Sequence, residues 1–219
     1  MNYIKYAIGE IILVVIGILI ALQVNNQNEI RKNKLLEKRY ITDLIADLQK
    51  DSIALTDLVT EAKETARIKS KLKLYFNGQP VQTDSLDIFF KSQWTPFRVF
   101  TPTKTTMEEM KNSGRLDLVS DREIKRKIIG LYDQYDLLHQ DELLFMASTR
   151  QLQELGRSHL NDIDAPTEDE IISLFGEREV RNNIRVNYAT GRKSVTSKTL
   201  SACELMLSDL RKYLNKLKK

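Results

Sequence analysis

Two histidines, one cysteine and a spaced run of aspartates are the side chains whose types could do chemistry in this chain. His139 lies one helical turn from Asp136 and from Glu142, a spacing at which a carboxylate can orient an imidazole as a general base. A solvated helix surface produces the same pattern. Neither His139 nor His159 has a second His or Cys at metal-ligand spacing. Asp43, Asp47 and Asp51 step by four residues and share one helix face, but they lack the oxygen-rich loop that hard cations favour. Such a stripe is expected to be solvated or paired with basic neighbours. Cys203 is the sole cysteine, so no disulfide forms within the chain, and helical spacing places it as a small buried residue. Gly-rich phosphate loops, G-x-S-x-G and H-E-x-x-H are absent. The expectation is a protein that is not an enzyme and holds neither cofactor nor metal.

The elements that would have to position these residues are long helices. The 219 residues allow one membrane segment plus a single ordinary domain. Only 8 Gly and 4 Pro, against 29% charged residues, is a composition poor in turn formers, which makes an all-β fold a poor match. The net charge of +4 is mild, and 7% aromatic content offers no base-stacking platform, so a nucleic-acid partner is not expected.

Residues 11–22 (IILVVIGILIAL) are uninterrupted apolar, and extension to Tyr6 and Val24 gives 19 residues broken only by Glu10 and Gln23. That is close to the ~20 residues needed to cross about 30 Å of hydrocarbon. The segment is apolar all round, which suits a span better than a helix lying flat on the surface. The sequence after it, Ala21 to Asn26, has no pair of small residues separated by one position, so the segment reads as an uncleaved anchor. Glu10 near the end of the span either reaches the headgroups, pairs with Lys5, or marks a functional position. Gly17 and Ala21 form a small-xxx-small spacing that would let a second helix approach.

From Asn28 to about Tyr75 there is no Pro or Gly, and Ile41, Leu44, Leu48, Leu55, Leu58 and Ala62 fall on one seam, with Asp51 in a polar slot. This helix continues the membrane helix directly, and Asn77, Gly78 and Pro80 end it. A second region, Asp84 to about Ser113, is broken by Pro96 and Pro102, with a capping box at Thr105 and Glu108. Phe76, Phe89, Phe90, Trp94, Phe97 and Phe100 cluster in and beside it. They form either an aromatic plug or, through Phe89, Trp94 and Phe97, a partner surface. Ser120 with Glu123 starts a helix that keeps Ile124, Ile128, Leu131, Tyr135 and Leu138 on one side and runs toward Leu160. Thr167 with Glu170 starts a short helix, and a last helix from about Arg178 to Leu217 carries the seam Leu200, Cys203, Leu207, Leu210, Leu214 and Leu217.

The run IGEIILVVIGILIALQVNNQNE, Ile8 to Glu29, resembles the N-terminal signature of a bacterial family of single-span membrane proteins classed as a domain of unknown function. The stretch TTMEEMKNSGRLDLVSDREIKRKIIGLY, Thr105 to Tyr132, resembles the same family. Where the family's pattern reads NNWNE this chain has Gln27, so an interfacial aromatic anchor is missing. The resemblance implies a membrane location and transfers no catalytic or ligand-binding residue.

The fold expected is all-α: an anchor over 1–27, continuing into an elongated antiparallel four-helix bundle over 28–219. In that topology Arg211, Lys212 and Lys216 return beside Arg31, Lys32, Lys34, Lys38 and Arg39, near the membrane. Such a ring either binds anionic headgroups, at roughly 1 kcal/mol per residue, or is an ordinary pair of Lys-rich helix ends. The location expected is the bacterial inner membrane. Flanking charge puts the bundle in the cytoplasm, whereas an anchored helical bundle resembles periplasmic sensing modules, and the two arguments oppose each other. Two functions follow. One is an interaction or sensing module with a protein or small-ligand partner. The other is a scaffold that self-associates through Gly17 and Ala21, as a homodimer, and holds anionic lipid.

Overall fold

The computed structural model describes residues 2–80, 84–94, 99–186 and 189–218, and within these the side chains of 2–9, 11, 12, 84, 93, 94, 189 and 190 lie outside the description. Every described element is helical: α1 (Asn2–Phe76), α2 (Asp84–Trp94), α3 (Thr105–Asn112), a 3-10 turn (Arg115–Leu118), α4 (Arg122–His159), α5 (Glu168–Gly176), α6 (Arg178–Val186) and α7 (Ala189–Leu217).

Helix α1 has 75 residues, which at 1.5 Å per residue is about 110 Å. The apolar segment and the helix that carries the seam from Ile41 to Ala62 are therefore one rod. Its end is chemically defined. Gly78 takes a left-handed φ of 81°, its N–H donates to Tyr75 O at 2.9 Å, and Gln79 N–H reaches Leu74 O at 3.2 Å. This pair of bonds closes the last carbonyls, and Pro80 forbids continuation.

Direct bonds give the register of the remaining helices. Along α1, α7 runs backward: Tyr213 bonds Glu37, Cys203 Sγ lies 3.5 Å from Leu48 O, and Arg192 meets Glu61 at 3.1 Å. Between α4 and α7 the rungs are Lys127–Asp209 at 2.8 Å, Gln134–Thr199 at 3.3 Å and Glu142–Arg192 at 2.7 Å, again antiparallel. The broken segment from α2 to the 3-10 turn also returns along α1, since Thr103 bonds Asp51, Thr106 bonds Asp47 and Arg115 bonds Tyr40.

The seam Ile41, Leu44, Leu48, Leu55, Leu58 and Ala62 is buried throughout. All of the seam except Ala62, with Ile128, Leu131, Tyr135, Leu138, Cys203, Leu207 and Leu210, forms most of the proximal core. On α7 the seam drifts from the heptad positions: Met206 and Tyr213 are buried, while Leu200, Leu214 and Leu217 only edge the core. A straight α-helix has 3.6 residues per turn, so a 3.5-residue seam rotates out of contact. A second core at the far end gathers Leu72, Phe89, Phe90, Leu152, Phe175 and Ile184. The two cores are separated by buried polar residues, among them Thr65, Glu142, Thr149 and Arg192.

One of the three anticipated capping boxes forms as expected. Thr167 and Glu170 cap α5 reciprocally. At α4 the cap is Asp121, which accepts from Glu123 N and Ile124 N, because Ser120 is committed to Glu37. At α3 Thr105 is already inside the helix, and no side chain at the N-cap position closes it.

Candidate functional site

His139 is exposed and borders a groove of about 350 Å³ with Phe100, Pro102, Lys104, Tyr135 and Asp136. Its two carboxylate neighbours are engaged elsewhere: Asp136 accepts from Lys104 Nζ at 2.7 Å, and Glu142 is bound by Arg192. The orientation needed for an imidazole base is thus not assembled around His139. His159 Nδ1 lies 2.9 Å from Leu155 O on the last turn of α4. Among the described residues no group of three His, Cys, Asp or Glu converges as a metal site would require.

The aspartate stripe is not solvated beyond Asp43, which sits 3.6 Å from Arg39. Asp47 Oδ2 accepts from Thr106 Oγ1 at 2.6 Å and from Thr106 N at 3.2 Å, replacing the missing cap of α3. Asp51 Oδ1 accepts from Thr103 N at 2.8 Å. The stripe is a clasp that holds the returning segment against α1. Among the described residues no well-formed hydrogen bond reaches buried Asp51 Oδ2 or the Tyr135 hydroxyl, which face each other, and burial raises the pKa of both groups. Burial also pushes the Cys203 thiol up to about 11, so this thiol is inert at neutral pH.

The centre of the molecule is a charged cluster that local sequence patterns do not single out. Arg192 is fully buried; Nε and Nη2 bond both oxygens of Glu142 at 2.7 and 3.1 Å, and Nη1 reaches Glu61 at 3.1 Å. The guanidinium also stacks 4.7 Å from the centroid of the Phe145 ring. The signal was present on α4, where the seam Ile124, Ile128, Leu131, Tyr135, Leu138 steps next onto Glu142.

At the end nearest the apolar segment, buried Glu37 gathers three elements. It accepts from Ser120 N at 2.7 Å, from Ser120 Oγ at 3.0 Å and from the Tyr213 hydroxyl. This junction places Arg211, Lys212 and Lys216, all exposed, at the level of Arg31, Lys32, Lys34, Lys38 and Arg39. Exposed Lys111, Arg115, Arg122 and Arg126 join the same end from α3, the 3-10 turn and α4. Beyond it α1 projects alone: residues 13–35 are exposed, including Gly17, Ala21 and Val24, and Glu10 is exposed as well. By length and composition α1 can cross a membrane, and its most apolar window is 0% buried. The Tyr6 side chain lies outside the description.

Phe89 is 2% exposed and packs with Phe90 in the far core, so it is an interior residue rather than part of a partner surface. On α2, Leu86 and Phe90 turn inward with it while Ile88 faces out, beside the end of α1 where Phe76 and Phe175 meet edge-on at 5.8 Å. The Trp94 side chain and Phe97 lie outside the described residues.

These features define an all-helical protein with one long apolar N-terminal helix and a basic collar where that helix enters the folded part. The chain belongs to a family of unknown function, DUF6090, whose model matches residues 10–159. The matched region runs from within α1 to the end of α4 and leaves α5, α6 and α7 outside it. No curated protein and no solved structure matches the chain.

Proposed function

We propose that the chain is a single-pass protein of the bacterial inner membrane whose helical domain, an elongated antiparallel four-helix bundle, serves as an interaction or sensing module rather than an enzyme. The observation that carries this reading is the unbroken course of α1 from the apolar segment into the proximal core. A rod fixed at one end in a bilayer and at the other in a packed core couples the two, so rotation or displacement at either end reaches the other. The domain boundary near residue 27 then falls inside a helix.

The test is fractionation with alkaline carbonate. The full chain stays with the membrane pellet, and deletion of residues 1–27 moves it to the supernatant. A full chain that carbonate releases overturns the anchor. For the module, Gly-Gly-Pro inserted after Asn26 interrupts the rod; hydrogen exchange in α4 and α7 then ceases to respond to changes in bilayer composition. An unchanged response overturns the coupling.

A second reading, a self-associating scaffold that binds anionic lipid, is favoured by the Glu37–Tyr213 junction, which sets the basic ends of α1 and α7 side by side. Contact between spans would use Gly17 and Ala21.

A further inference from the structure

Between α4 and α7 runs an apolar groove of about 410 Å³ on the outer surface, with Gly130 and Ala202 beside it and Leu131 and Met206 in its floor. Gly130 is exposed, and a Cβ built there meets nothing within 4 Å. Leu205, on the same groove, stands 69% exposed. Because Lys127 meets Asp209 and Gln134 meets Thr199, Gly130 and Leu205 lie opposite each other at one height between those rungs.

That equality of height matters for a chain anchored at one end. Two copies in one bilayer stand parallel, related by a two-fold axis along the membrane normal, so each residue meets residues of its own height in the other copy. A knob and a hole at one level are what such an interface requires. Leu205 is the knob, and the open space over Gly130 and beside Ala202 is the hole. Charge at the next rung is likewise self-complementary: Lys127 and Asp209 share a height, so each would face its opposite across the axis. The outward face of α1 is a poorer candidate, because Arg31, Lys32 and Arg39 would each meet their own copy.

We infer that the α4–α7 groove is the contact between two copies of this chain, with Leu205 of each seated over Gly130 of the other. The inference rests on the membrane-anchored reading, since the anchor sets the copies parallel and raises their effective concentration. It names a second copy as a partner of the module.

The test is cross-linking of the full chain in membranes through Ser208→Cys, an exposed position three residues from Leu205 on α7 that leaves the knob in place, with a short bismaleimide. Native Cys203 is buried and stays silent. The expected product has twice the chain mass. Gly130→Leu fills the hole on a surface where a leucine also favours helix, so folding is retained while cross-linking falls by about tenfold or more, the equivalent of one leucine's lost burial. A pelleted chain that stays monomeric, a dimer yield indifferent to Gly130→Leu, or an adduct of another mass each overturns the inference. A chain missing from the pellet overturns the anchor and, with it, the parallel arrangement.

Discussion

Tyr213, near the end of α7, donates its phenol to the buried carboxylate of Glu37 across 176 residues of sequence. The bond joins the last helix to the point where α1 enters the proximal core, and Ser120 just before α4 completes it. Burial, with Glu37 beside it, holds the Tyr213 hydroxyl above its ordinary pKa, so it remains a donor at neutral pH. Tyr213→Phe removes one donor to a charged acceptor and should cost about 1.5–3 kcal/mol, read as a lower urea midpoint at unchanged slope. A midpoint within error of the parent would show that Ser120 alone satisfies Glu37.

Outside the two apolar cores, Arg192→Met should be among the most destabilising single substitutions. It leaves Glu142 buried without its guanidinium, at about 3–5 kcal/mol. The companion Glu142→Met, combined with Arg192→Met, should recover most of that loss, because two apolar side chains replace a pair whose desolvation is costly. A double-mutant cycle by chemical denaturation measures the coupling. A double variant as unstable as Arg192→Met alone would mean that Glu61 and Phe145 hold the arginine as strongly as Glu142 does.

The contrast between these two sites shows what the sequence can carry. The α1 seam was legible because apolar residues at three- and four-residue steps have one explanation, burial. The Thr167–Glu170 cap was legible because its partners are three residues apart. Asp47 and Asp51 were not, because their partners are backbone N–H groups of Thr106 and Thr103, more than fifty residues away, which leave no local trace. Ser120 reads as a cap until Glu37 is known to lie beside it. Arg192 sits in the polar run ATGRKSVTSKT, where a local reading finds only a solvated stretch of helix. The basic collar was half legible: α1 and α7 follow from topology, but Arg115 and Arg122 join only when the middle segments are placed.

The buried ionisable groups predict two opposite pH responses. Burial, with Lys73 nearby, lowers the Lys69 pKa from 10.5 to about 8. The unfolded chain therefore binds more protons between those values, and stability from this group rises with pH across that window. Lys69→Met should remove the rise and stabilise the protein at neutral pH. Asp51 is the converse: burial raises its pKa, the folded state holds the extra proton, and stability falls as pH climbs through the folded value. Asp51→Asn should keep the bond from Thr103 and flatten the acid side of the profile, because the amide takes up no proton there. Denaturation at several pH values separates the two, and a parent profile unchanged by either substitution would sink both assignments.

The basic collar makes the last prediction, which concerns the membrane surface. If α1 spans the bilayer, Lys32, Lys34, Lys212 and Lys216 stand within reach of headgroups, and each contributes about 1 kcal/mol toward an anionic surface. With the full chain in bilayer discs, these lysines should react with an acetylating reagent more slowly in phosphatidylglycerol than in phosphatidylcholine. Lys50 and Lys71, exposed farther along α1, should react alike in both. The difference should collapse near 1 M salt, where the screening length shrinks to about 3 Å. Protection that persists at high salt would point to burial against protein instead of lipid charge. Equal rates in the two lipids at low salt would leave the collar as a pair of solvated helix ends, with the C-terminal lysines favoured only by the dipole of α7.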